Sequence, residues 1–170
     1  MIIKNALVYT PAHTFAPGDL AVRDGRIDPD TAPRPGEEVV DAGGLYALPG
    51  LVDLHFHGAV GHDFCDGTEE AIQAIADFEG SKGVLAICPA TMTYSEEILG
   101  KVMDAAAAHQ NGRGADLVGI NMEGPFISPE KLGAQNPIYL HAPDVGMFRR
   151  LQKRSGGLIK LVDIAPEVDG

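Results

Sequence analysis

Positive charge is scarce in this chain: 13 lysines and arginines stand against 24 aspartates and glutamates, for a net charge of −11 over 170 residues. Nucleic acids and anionic membranes are recognised by clustered Lys and Arg, so neither is an expected partner. An anionic small molecule stays open, because one or two basic groups and backbone amides hold a phosphate whatever the global sign. Cysteine is almost missing too. Cys65 and Cys88 are too few for a disulfide framework. Long apolar runs are absent: none approaches the ~20 residues of a spanning helix. The start, Met1-Ile2-Ile3-Lys4-Asn5, has neither the charged front nor the apolar core of a signal peptide. The expectation is a cytoplasmic protein with reduced thiols. A 45% hydrophobic content is enough, at this length, to form a core.

The pattern changes near residue 45. Before it, Ile2 to Tyr9 alternates as a strand, Asp19 to Val22 and Arg26 to Ile27 flank an Asp24-Gly25 hairpin turn, and Val39-Val40 begins another strand. Pro29 to Glu38, rich in proline and charge, reads as a surface loop. From Leu45 onward the order becomes strand, loop, helix, repeated. Strands are expected at Ala47 to Phe56, Val84 to Pro89, Leu117 to Met122 and Leu158 to Ile164, each apolar as when helices cover a parallel sheet. Asp66-x-x-Glu69 and Thr93-x-x-Glu96 read as capping boxes opening helices near 68 to 80 and 95 to 109. A third helix is expected from Pro143, burying Val145, Phe148 and Leu151. It ends in Arg149, Arg150, Lys153 and Arg154, whose charges complement the helix dipole. The fold class is therefore α/β.

Two places in this frame carry chemistry. Leu48 to Gly58 reads as a buried strand ending in His55 and His57, one residue apart. Side chains alternate along a strand, so both imidazoles project the same way and can grip one metal ion. An isolated His-x-His is more often structural than ligating, but a second run, Val118 to Phe126, ends in Glu123 before breaking at Gly124-Pro125. A carboxylate there is costly to bury unless it is paired or bound to a cation.

The segments PGLVDLHFHG, MEGPFISPEKLGAQNP (Met122 to Pro137) and IAPE (Ile164 to Glu167) resemble the N-acetylglucosamine-6-phosphate deacetylases, within the metal-dependent amidohydrolases. His-x-His is widespread among amidohydrolases; the second motif is the specific one. The resemblance implies the first half of a (β/α)8 TIM-type barrel at 46–170, preceded at 1–45 by part of a small β-sandwich. The strand-helix units number at most four where a barrel needs eight. Members of the family continue past IAPE with two more histidine ligands, a catalytic aspartate and the rest of the barrel, so the expected aspartate lies beyond residue 170. A half barrel leaves strand edges and apolar faces open, so an aggregation-prone or obligately associated polypeptide is expected.

By the same resemblance, Glu123 binds the catalytic metal, and His55 and His57 match ligands of a second metal in members that have two. Zinc suits this donor set best, with iron or manganese as alternatives, one or two ions per site. Ala134 and Gln135 fall at positions that contact the sugar; without the motif, Gly133 to Pro137 reads first as a tight turn. The implied reaction is hydrolysis of N-acetylglucosamine 6-phosphate to glucosamine 6-phosphate and acetate in amino-sugar metabolism, by a homodimer when full-length. The alternatives are an amidohydrolase of the dihydroorotase or hydantoinase type and a non-catalytic truncated fragment. Two positions depart from the pattern: Asn121, where many relatives have histidine, and Gln135, which replaces a histidine of some members. Both keep hydrogen-bonding capacity, so altered substrate contacts are expected rather than a lost reaction. His13, His109 and His141 read as structural or surface groups, Lys131 as a solvated loop lysine, and Cys65 and Cys88 as packing residues; His62 lies close enough to His57 in sequence to line a site but has no assigned role.

Overall fold

The computed structural model describes residues 1–168 of the chain, which divides into two units, Met1–Pro49 and Gly50–Gly170. In the first, β1 (Ile2–Tyr9) runs antiparallel to β2 (Phe15–Arg23), and β2 to β3 (Arg26–Asp28). β4 (Val39–Asp41) and β5 (Tyr46–Ala47) lie parallel to β1. This last pairing is why the division falls after Pro49 rather than after residue 45. Asp24 and Gly25 have φ of 50° and 69°, the double positive pair that a two-residue hairpin turn requires. The charged loop from Pro29 is tied down by Arg23, which donates to Glu37 Oε1 at 2.5 Å, to the Asp30 carbonyl at 2.5 Å and to the Ala32 carbonyl at 2.9 Å. The guanidinium contact, with help from the Arg34 amide, pulls the Glu37 carboxyl down to about 2.

In the second unit, β6 (Leu51–Asp53) leads through the small hairpin β7 (Gly58–Ala59) and β8 (His62–Asp63) to α1 (Glu69–Ser81). Then come β9 (Val84–Ile87), α2 (Glu96–Ala108), β10 (Asp116–Leu117), β11 (Ile120–Glu123), α3 (Val145–Arg154) and β12 (Ile159–Asp163). β6, β9 and β10 pair parallel, as do β11 and β12. A parallel bridge from Ala90 to Asn121 joins the two groups. The fold is α/β, with parallel strands alternating with helices. Ile72 and Ile75 of α1, Leu99, Val102 and Met103 of α2, Leu151 of α3 and Ile87, Ile120 and Met122 of the strands form one core. Each such side chain contributes roughly 1.5–3 kcal/mol on leaving water.

Several local expectations shift. β6 stops at Asp53, not Phe56, because the Asp53 carboxylate takes the His55 amide at 3.0 Å and ends the ladder. The run expected from Leu117 to Met122 breaks at Val118-Gly119 into β10 and β11. α1 is capped by Thr68, whose hydroxyl accepts from the Ala71 amide, while Asp66 forms a reciprocal cap with Asp63 on the preceding turn. α2 is capped by Ser95, not Thr93. α3 starts after Asp144, whose carboxylate accepts from the Gly146 and Met147 amides. It buries Met147 and Leu151, half-buries Phe148 and leaves Val145 63% exposed. Arg150 donates to Glu96 at 2.6 and 2.9 Å, and Arg154 reaches Asp104, so the basic end of α3 is clamped to α2.

Candidate metal centre

His55 and His57 lie just beyond the carboxyl end of β6, and Glu123 ends β11. The histidines keep a same-side projection although the regular strand has stopped, because the segment stays bonded to the stretch after β9: the Cys88 amide donates to the Asp53 carbonyl at 2.8 Å and the Ala90 amide to the Phe56 carbonyl at 2.7 Å. Gly124, next to Glu123, has φ of 70°, and a Cβ there would overlap the Thr93 hydroxyl. Glycine is required for the chain to turn away directly after the carboxylate.

Glu123 Oε2 stands 3.1 Å from His55 Nε2 and 3.2 Å from His57 Nε2, and the two rings are nearly perpendicular at 85°. Ligand atoms of the three residues all fall within 4.8 Å of one another, the one such trio of His, Cys, Asp or Glu among the described residues. Despite these distances Oε2 accepts no hydrogen bond and is buried. The imidazole nitrogens therefore do not aim at the oxygen. Two imidazole nitrogens and a carboxylate oxygen meet around a shared point with no hydrogen bond between them, an arrangement that could hold a cation. Two imidazoles and a carboxylate make a donor set for a divalent transition metal.

The surroundings orient the trio. Asn121, buried on β11, places its side-chain amide 3.0 Å from His55 Nδ1 and also donates to the Leu54 carbonyl at 3.3 Å. A partner on Nδ1 fixes the ring's orientation. His57 Nδ1 is buried with no partner among the described residues. The buried Thr91 hydroxyl donates to the Glu123 carbonyl at 3.2 Å, fixing the strand end.

Gln135, expected at a sugar-contacting position, packs beside Glu123. It is only 6% exposed; its oxygen accepts the Thr93 amide at 2.7 Å and its nitrogen donates to Glu123 Oε1 at 2.9 Å. Both ends of the amide are engaged. Ala134, beside it, is exposed. Neither Thr91 nor Thr93 stood out in the sequence as a site residue. The one available signal was the TMT triplet after Pro89-Ala90, which lies where a strand end meets the loop layer.

The other candidates lie elsewhere. His109 ends α2 with its ring buried and Nδ1 2.9 Å from Glu69 Oε1, linking α1 to α2. His62 faces Asp66 at 3.9 Å, and His141 bonds the Ala142 carbonyl. Cys65 accepts the Met92 amide on its sulfur, and burial pushes the thiol up to about 12. That is a packing residue, not a nucleophile.

No family model matches the chain. It is 31% identical to N-acetylglucosamine-6-phosphate deacetylase of Bacillus subtilis (strain 168), over 99% of this chain and 45% of that protein. An N-acetyl-D-glucosamine-6-phosphate deacetylase variant from Mycobacterium smegmatis, solved in complex with N-acetyl-D-glucosamine-6-phosphate, superposes with a TM-score of 0.85 at 27% identity, over 100% of this chain and 44% of that one. A D-hydantoinase gives a TM-score of only 0.53 at 24% identity, over 95% of this chain and 38% of that one, a likeness of fold alone. The chain thus spans less than half the length of the proteins it matches. Over that stretch it is a homologue of the N-acetylglucosamine-6-phosphate deacetylases.

Proposed function

We propose that this chain supplies the first part of a metal-dependent deacetylase acting on N-acetylglucosamine 6-phosphate, releasing acetate and glucosamine 6-phosphate. The observation that carries this reading is the convergence of His55 Nε2, His57 Nε2 and an unbonded Glu123 Oε2 at the carboxyl ends of parallel strands, where α/β barrels keep their chemistry. In this reading Gly50–Gly170 is the first half of a (β/α)8 barrel, Met1–Pro49 is part of a β-sandwich, and zinc is the preferred ion, with iron or manganese next.

A divalent cation in that position contributes Lewis acidity, polarising an amide carbonyl and acidifying water. The chain's own residues do the rest of the work assigned here. His55, His57 and Glu123 would hold the ion, and Gly124 turns the backbone away directly after the carboxylate. The Ala134 backbone, exposed on the loop after Glu123, is a donor for the sugar. The proton that must reach the departing amine has no carrier among the three ligands, and the proposed enzyme takes it from an aspartate outside this chain.

A second reading, a non-catalytic metal-binding fragment, is favoured by one observation: Leu85 and Leu161 of the parallel strands, and Val118 between β10 and β11, are exposed, as in an unfinished core. Metal analysis beside an acetate-release assay on N-acetylglucosamine 6-phosphate, with a cyclic amide as the control substrate, separates these. Bound metal with acetate release supports the deacetylase. Bound metal without turnover supports the fragment, and hydrolysis of the cyclic amide alone supports a hydantoinase-type enzyme.

A further inference from the structure

We propose that Gln135 is a positioning residue that makes Glu123 a one-oxygen ligand. The proposal rests on the metal reading above and goes beyond it. A backbone amide can only donate, so the Thr93 N–H at 2.7 Å requires the Gln135 oxygen on its side. The nitrogen must then face Glu123, where it donates to Oε1 at 2.9 Å. The polarity of the side-chain amide is thereby set by the fold. With Oε1 held, only Oε2 is left to face the two imidazoles, at 3.1 and 3.2 Å.

The delivery of Gln135 is equally specific. Gly133 takes φ of 62°, the Gln135 amide donates to the Leu132 carbonyl at 3.2 Å, and Asn136 caps the 3₁₀ turn Pro137–Tyr139. This loop returns a buried side chain to a carboxylate 12 positions earlier. Such a carboxylate, left free, rotates and binds a cation through either or both oxygens. Held at Oε1 it uses one, which keeps positions around the cation open for water or an amide carbonyl.

The test uses the full 170-residue chain and its Gln135→Met, Gln135→Asn and Glu123→Gln variants, titrated with zinc by chelator competition and with cobalt(II) by its visible absorption band. Methionine keeps the shape but has no amide; asparagine keeps the amide but is too short to reach both Thr93 and Glu123. Each is expected to bind zinc about 10- to 100-fold more weakly and to change the cobalt band, because a second carboxylate oxygen enters. Circular dichroism identifies a variant that fails to fold, and the other then carries the result. Wild-type affinity in the folded variants, or weaker affinity with an unaltered cobalt band, overturns the assignment of Gln135. Loss of binding in Glu123→Gln would in that case leave the metal reading standing. A wild-type chain that binds neither ion overturns both.

Discussion

Replacing Glu123 with glutamine separates a metal ligand from a structural ion pair. If Glu123 were bonded to protonated imidazoles, neutralising it would leave two partly exposed charges, 50% and 35% accessible, without their partner and lower the stability of the metal-free protein. The structure argues otherwise: Oε2 has no aligned donor, and Gln135 holds the other oxygen, which glutamine also offers. An unsatisfied buried polar atom costs about 1–3 kcal/mol. Removing its charge at constant shape should leave the metal-free protein as stable as before, or about 1 kcal/mol more so. Metal is where the variant must suffer. A cation present at 100 times its dissociation constant stabilises the wild type by about 2.7 kcal/mol, or a rise in Tm of roughly 8–16 °C for a unit of this size. Glu123→Gln should lose nearly all of that rise. Thermal melts by circular dichroism, with chelator and with zinc, give both numbers. A metal-free Tm that falls by more than a few degrees, or a zinc-induced rise that survives, refutes the reasoning.

Other outcomes follow from the same contacts. Gly124→Ala forces a Cβ into the Thr93 hydroxyl at a φ of 70°, so it should cost about 2–4 kcal/mol in a denaturant titration and weaken zinc binding as well. Glu37, held down to about 2 by Arg23, stabilises the folded chain fully above the unfolded carboxylate range near ~4.3 and progressively less as pH falls toward 2. Glu37→Gln should flatten the stability-pH curve in that acid window and leave its shape near neutrality unchanged. Cys65, pushed up to about 12 by burial, and Cys88, also raised by burial, should react with iodoacetamide at pH 8 only after denaturant is added; mass spectrometry of the native protein would show neither labelled.

How much of this was readable from the chain depends on the distance over which each feature is decided. The α/β alternation, the Asp24-Gly25 turn and the trio His55, His57 and Glu123 rest on local patterns, and the structure brings all three side chains together. The helix caps do not. Thr68 and Asp66, or Ser95 and Thr93, are rival caps within two residues of each other. The choice at the second helix goes to Ser95 because the Thr93 amide is already taken by Gln135, 42 positions away. The same long-range bond buries Gln135, which local sequence places only in a tight turn. In α3 the spacing 145, 148, 151 and the spacing 147, 151 both fit a helical face, and only packing on α2 decides that Met147 is buried and Val145 is not.

The exposed apolar residues of the second unit lead to a last expectation. Leu51, Leu54, Leu85, Val118 and Leu161 are each between 39% and 55% exposed, and all lie on or beside parallel strands, which are rarely left uncovered. Unpaired strand edges beside apolar side chains form a template for pairing with another chain. The 170-residue polypeptide on its own should therefore associate as concentration rises and bind a hydrophobic dye while keeping its circular dichroism. Leu85→Ser tests the cause, since an already exposed side chain contributes little to folding, about 0.5 kcal/mol or less, yet its loss removes part of the sticky surface. Sedimentation velocity over a range of concentrations should show a smaller associated fraction in the variant. A wild-type chain that stays monomeric at every concentration, with no dye binding, would mean that these strands are stable uncovered.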